Sequence, residues 1–184
     1  FNGLAGVGVA FKLTQALSQR LNIREEENLK YLDIVCVGTI SDIVPLVDEN
    51  RTISKLGLKL VKQTRNVGLR VLLESIGYKK IDSNTISFGV APRINACGRM
   101  GHEREALQLF LTDDVEEAKN ITQRLNGYNL ERQDIEKRIF NEAQEMLSAE
   151  GNKLPCIVLA KENWHHGVIG IVSSKMTEMY SKPS

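Results

Sequence analysis

The 184 residues suffice for one full domain, or for one domain and part of another. With 24 basic against 23 acidic residues, +1 overall, a strongly basic DNA-coating protein is excluded, but a local cationic site is not. No stretch approaches a membrane span, and Cys36, Cys97 and Cys156, odd in number and without metal-ligand spacing, read as reduced, buried thiols of a cytosolic protein.

Leu4, Val7, Phe11, Leu17 and Leu21 recur at helical spacing and predict a helix over 4–21. "NIREEENL" is a charged connection or a first helical turn. "YLDIVCVGTISDIVPLVDEN" is ambiguous: "DIVCVGTI" is β-branched enough for a buried strand, while Leu32, Cys36, Ile40 and Ile43 also fit a helix ending before Pro45. Two short amphipathic helices are expected over 51–63 and 66–76, with Gly77 as C-terminal cap. The longest regular feature follows. Ile121, Leu125, Tyr128, Ile135, Ile139, Ala143 and Met146 step by threes and fours, with Arg132 in the one skipped place. Asp113 with Glu116 resembles a capping box and Gly151 a stop signal. A helix from about 114 to 148, roughly 50 Å long, is a connector between domains. Beyond it, "PCIVLA" reads as a short buried strand, "KENWHHG" as a loop, and "VIGIVSSKMTEMY" as a helix. The chain opens on Phe1 without Met or a signal-peptide pattern and stops where another strand is expected, so an internal fragment of a larger protein is the expectation.

Three stretches carry chemistry. In "GTISDIVPL" the carboxylate of Asp42 sits in an apolar run and needs a partner: a helix-end amide, an arginine or a metal. On the residues alone a structural cap or ion pair outweighs a metal ligand. "APRINACGRMGHERE" gathers Arg93, Asn95, Arg99 and Arg104 around two glycines. Arginine presents a donor fork matched to phosphate oxygens, so anion binding and structural pairing stand even there. In "WHHGVIGIVSSK" a loop feeds a helix N-terminus, whose free N–H groups and dipole favour an anion near His166 and Gly167. Adjacent residues rarely point at one ion and no acidic partner lies nearby, so His165 and His166 read as a phosphate or sugar contact or as plain loop residues. Trp164 reads as packing.

Together and in order, "LAGVGVAFKL", "DIVCVGTISDIVPL", "APRINACGRMGH", "LNGYNLERQDIEKRIFNEA" and "WHHGVIGIVSSKM" resemble successive segments of the DHH phosphoesterase superfamily, in its branch of bacterial single-strand-specific 5′-to-3′ DNA exonucleases. The resemblance runs over nearly the whole chain. It implies an α/β protein whose visible part is mostly helical: 1–112 as the late portion of a DHH catalytic domain, 113–150 as the long connecting helix, and 151–184 as the start of a DHH-associated α/β domain. It implies that Asp42 is the catalytic carboxylate and ligand of Mn²⁺ or Mg²⁺, hard cations that prefer such oxygens. Arg93, Asn95 and Arg99 would line the DNA path. His166, Gly167, Ser174 and Lys175 would meet DNA phosphates from the second domain. Where relatives carry Ala-Ser-Arg, this chain has Ser173-Ser174-Lys175, which keeps the charge and loses the fork.

The implied substrate is single-stranded DNA in repair and recombination, the implied partners a single-strand-binding protein and a helicase, and the implied location the bacterial cytoplasm, away from membranes. The earlier motifs of the superfamily, including the Asp-His-His triplet, are absent from the sequence, so the chain alone is expected to be inactive. Two rival readings are a related phosphodiesterase acting on short oligonucleotides or cyclic dinucleotides, and a non-catalytic DNA-binding scaffold. The insert around "PRINACGRMG" speaks against the first and Asp42 against the second.

Overall fold

The fold is a computed structural model that describes residues 1–78, 80–150 and 155–184. Its first part is built from α1 (Gly6–Arg20), α2 (Glu26–Leu29), α3 (Leu32–Ser41), α4 (Asp48–Val61), α5 (Val67–Ile76), a π-helical stretch Thr85–Val90 running without a break into α6 (Ala91–Arg99), and α7 (Glu103–Leu111). The 36-residue α8 (Val115–Glu150) follows, and α9 (His166–Tyr180) closes the chain.

The ambiguous segment around Cys36 is helical. Seven of the ten residues of α3 are buried, which is why no polar stripe betrayed its period. It packs against α4 at Gly57, where an added Cβ would lie 2.2 Å from Cys36 Cβ and 2.5 Å from the Leu32 carbonyl oxygen. The expected helices over 4–21, 51–63 and 66–76 are present as α1, α4 and α5. Gly77 ends α5 in the left-handed conformation, φ 72°.

Two hydrophobic clusters form the cores. The first draws on α1, α3 to α7 and the first turns of α8, with Leu69, Leu72, Ile86, Leu109, Ile121 and Leu125 at its centre. The second joins Ile139, Ala143 and Leu147 of α8 to Ile157 and to Val168, Val172 and Met176 of α9. A single helix therefore supplies both cores. Between them its inward stripe turns polar, and Asn129 and Glu136 are buried there.

Several expectations need correction. The N-terminal cap of α8 is Asp114, not Asp113: Asp114 Oδ1 accepts from the backbone N–H of Glu116 and Glu117 at 2.7 and 2.9 Å. Leu147, not Met146, is the buried residue of the last turns, because a four-residue step from Ala143 keeps the stripe on the second core. The segment 155–160 is extended but is not a strand, and among the described residues there is no strand at all. A strand needs a neighbour to pair with, and among the described residues only the Ile157 N–H of this segment finds a backbone acceptor, Pro183, at 2.7 Å. Gly151, the expected stop, lies outside the described residues.

Alternation along that extended segment also corrects the thiols. Ile157 faces the core, so Cys156 and Val158 face outward, and Cys156 is exposed. Cys36 and Cys97 are buried. Burial, aided by Asp33, pushes the Cys36 thiol up to about 12, and burial, aided by Glu105, pushes Cys97 up to about 11. In the folded protein a maleimide at neutral pH should label Cys156 quickly and leave Cys36 and Cys97 unmodified until denaturant is added. Peptide mapping by mass spectrometry reads the three sites separately.

Candidate functional site

A cleft of 1130 Å³ lies where four helix ends meet. The start of α1 contributes Ala5, Gly6 and Val7, and the end of α3 contributes Ser41, Asp42 and Ile43. The inner face of α6 adds Asn95, Gly98 and Arg99, and the start of α9 adds His166, Gly167 and Gly170. The sequence motifs around 42, 95 and 166 are far apart in the chain and converge in this one space.

Asp42 closes α3. Its N–H still bonds to the Gly38 carbonyl at 3.0 Å, and its carboxylate is exposed to the cleft with no bonded partner among the described residues. The apolar run therefore does not bury it. The next residue, Ile43, turns the chain away in the left-handed region, φ 56°, and is 88% exposed. That conformation costs a β-branched residue on the order of 1–2 kcal/mol, and strain of this kind gathers at functional sites. Beside Asp42 the Ser41 hydroxyl is buried and unpartnered. Asp42 can give a divalent cation one hard oxygen ligand. Among the described residues no group of three or more His, Cys, Asp or Glu side chains is placed to hold a metal, so further ligands would have to come from elsewhere.

The other sequence-predicted groups line the same cleft. α1 begins at Gly6 after Ala5, which offers no side-chain cap, and this uncapped start lines the cleft. The α9 start is capped from within: His165 Nδ1 accepts from the Gly167 N–H at 3.1 Å. His165 is thus a capping residue, while His166 is the first residue of α9 and is exposed on the cleft wall. Arg99 Nη1 donates to the Gly167 carbonyl at 2.9 Å and joins α6 to α9. The contact is backbone-close. A Cβ at Gly167 would stand 2.3 Å from the Arg99 carbonyl oxygen.

Three candidates lie apart from the cleft. Arg93 is turned toward α8, where Nε donates to Asn126 Oδ1 at 2.5 Å and Nη1 to the Gly89 carbonyl at 2.7 Å. Ser174 and Lys175 sit in the third turn of α9, not at its start. Ser174 Oγ donates back to the Gly170 carbonyl at 3.0 Å. Lys175 is ion-paired to Glu136, which also takes Arg132 Nη1 at 2.5 Å, while Arg132 Nη2 donates to Asn129 Oδ1 at 2.8 Å. Trp164 packs on the second core and donates from Nε1 to Glu142 at 2.8 Å.

The Arg132–Glu136–Lys175 group occupies the polar gap in the α8 stripe and fixes α9 to α8. Burial works against the charge of Glu136, but Lys175 and Arg132 outweigh it and hold the carboxyl below its ordinary range. The folded chain therefore binds this proton less readily than the unfolded chain. The resulting stability is complete above the ordinary glutamate value of about 4.3 and is lost as pH falls through the lowered folded value. Glu136→Gln should cost roughly 1.5–3 kcal/mol at neutral pH, the range for hydrogen bonds to charged groups. The gap from wild type should narrow in acid, as read by denaturant midpoints across pH.

Comparison with known proteins finds similarity to one kind of exonuclease. The chain is 39% identical over 186 residues to the single-stranded-DNA-specific exonuclease of Bacillus subtilis, and 39% identical over 180 residues to that of Thermus thermophilus. The matches cover 100% and 97% of this chain. These exonucleases are RecJ, and the backbone agrees. Against crystal structures of Thermus thermophilus RecJ with Mn²⁺ and with Mg²⁺ the TM-scores are 0.86 and 0.87, at 38% identity over 95% of this chain. The chain spans about a quarter of the length of the curated relatives it matches, 23% and 26% of the two named. No family model matches.

Proposed function

We propose that this chain is the part of a RecJ-type exonuclease in which the last catalytic carboxylate meets the grip on the DNA backbone. The observation that carries this reading is the convergence of Asp42, Asn95, Arg99, His166 and Gly167 on one cleft. In the full-length protein the reaction is hydrolysis of phosphodiester bonds of single-stranded DNA from a 5′ end. Residues 1–112 belong to the catalytic domain, 113–150 connect, and 151–184 open a second, α/β domain. The cellular setting is DNA repair and recombination in the bacterial cytoplasm, with a single-strand-binding protein and a helicase as partners. No helix among the described residues is long and apolar enough to cross a membrane.

Asp42 is assigned as one ligand of Mn²⁺ or Mg²⁺, the ion that supplies an activated water and charge stabilisation when bound. The chain's own residues do the rest. The uncapped N–H groups of α1 and the N-terminus of α9 attract the phosphate backbone from two sides. The Arg99 fork and the Asn95 amide fix its register, and His166 reaches it from the second domain. Arg93, Ser174 and Lys175 belong to the same path, and their present hydrogen bonds tie them to α8 and α9.

The test is a cleavage assay of the full-length protein on 5′-phosphorylated single strands, duplexes and cyclic dinucleotides, with and without Mn²⁺ or Mg²⁺. Metal-dependent degradation of single strands from the 5′ end is expected. Cleavage of cyclic dinucleotides alone would move the assignment to a small-substrate phosphodiesterase, and metal-independent binding without cleavage to a scaffold.

A further inference from the structure

From Arg51 to Leu73 the chain holds Arg51, Lys55, Lys59, Lys62, Arg65 and Arg70 and not one acidic residue, although basic and acidic residues are nearly equal overall, 24 to 23. The structure turns this segregation into a surface. Arg51, Lys55 and Lys59 on α4 and Lys62, the residue that caps its C-terminus, lie within an arc of about 80°, at 100° per residue. All four are exposed, while Ile53, Gly57 and Val61 on the opposite face are buried on α3. None of the four makes a side-chain hydrogen bond or ion pair with any described residue. By contrast Lys12, Lys30, Lys119, Arg124, Lys161 and Lys175 are all paired with a carboxylate.

Unpaired like charges four residues apart repel each other on a helix, so the stripe destabilises the fold that carries it. A polyanion relieves that repulsion. Arg51, Lys55 and Lys59 rise by about 6 Å per step, which suits the phosphate repeat of an extended single strand. The stripe also starts beside the cleft. Asn50 Nδ2 donates to the Gly3 carbonyl at 2.6 Å and to the Pro45 carbonyl at 3.1 Å, tying the first turn of α4 to the segment that leads into Ala5 and Gly6 on the cleft wall.

We propose that the exposed face of α4 is a second, sequence-independent binding site for the phosphodiester backbone of single-stranded DNA. It continues the path of the strand outside the cleft. The proposal rests on the reading of the cleft as a DNA site. The regular rise and the run of four cations favour a uniformly spaced polyanion over an acidic peptide.

The experiment uses the full-length protein, with Arg51, Lys55, Lys59 and Lys62 all changed to Gln, and a second variant carrying only Lys55→Gln and Lys62→Gln. Binding is measured across salt for 5′-phosphorylated strands of about 6 and about 30 nucleotides, chosen against typical site sizes of about 4–16 nucleotides. For single strands each phosphate contact contributes about 0.7 to the salt slope. The fourfold variant should lose about 3 units of slope on the long strand and the double variant about half that. On the short strand both should bind as wild type does, and the saturated single-turnover rate should not change. Equal slopes for wild type and the fourfold variant on the long strand would overturn the proposal, as would equal losses on both strands. Loss of binding to an acidic peptide with DNA binding intact would also overturn it. If Arg99→Ala leaves short-strand binding untouched, it is the cleft reading that fails, and this proposal goes with it.

Discussion

Asp42→Ala in the full-length protein should abolish metal-dependent cleavage and leave most single-strand binding in place. The side chain is exposed, makes no hydrogen bond or ion pair with a described residue, and ends a helix whose other bonds do not depend on it. Removing it therefore costs little stability, and any loss of rate is chemical. A carboxylate that helps to hold a catalytic cation is worth several kcal/mol of transition-state stabilisation, so a loss of at least three orders of magnitude is expected. If, as proposed, Arg99, Asn95 and the helix starts hold the strand, binding should weaken less than threefold. Asp42→Asn separates charge from shape: it should be almost as inactive, and raising Mn²⁺ should restore part of its rate. Near-normal turnover in Asp42→Ala would remove the metal assignment.

Gly167→Ala should be the most damaging single methyl group in the site. Its Cβ would lie 2.3 Å from the Arg99 carbonyl oxygen and 3.0 Å from the Arg99 carbonyl carbon. Neither atom can rotate away as a side chain would, so α9 must shift from α6 by about an ångström. That shift breaks the Arg99 to Gly167 hydrogen bond and widens the cleft. Misplacement of this size can cost on the order of 10²-fold in rate. The same substitution at Gly127, within α8, meets nothing within 4 Å and should be neutral or should stabilise by up to about 1 kcal/mol through helix propensity. Single-turnover rates and thermal midpoints of the two variants, side by side, distinguish the close contact from a general effect of added methyls.

The elements that were legible in the sequence are those with a wet face and a dry one. α1, α4, α5 and α8 show their period because solvent enforces it, and Gly77 shows the end of α5 because only a residue tolerant of positive φ fits there. α3 hid its nature because it is covered on nearly every side. The stretch 155–160 misled because apolar alternation marks a segment that faces a core, whether or not a neighbour pairs with it. In the site, Asp42, Asn95, Arg99, His166 and Gly167 were readable as residue types suited to a metal or an anion, and His166 and Gly167 as the start of a helix. That they share one space was not readable, since nothing local records how α6 meets α9. The partners of Arg93 and Lys175 were hidden for the same reason: each bonds to a residue more than 30 positions away. The left-handed turn at Ile43 had no sequence signal, because glycine or asparagine usually marks such a place.

α8 supplies side chains to both cores, yet between Tyr128, packed on the first, and Ile135, packed on the second, it crosses about 10 Å with no hydrophobic core beneath it. Over that span α8 is one of two links between the lobes, the other being the direct contact of Arg99 with Gly167. Arg93 with Asn126 at one end, and Arg132, Glu136 and Lys175 at the other, act as splints along the span. The stiffness of α8 and the Arg99 to Gly167 contact would together set how far α9 moves relative to α6.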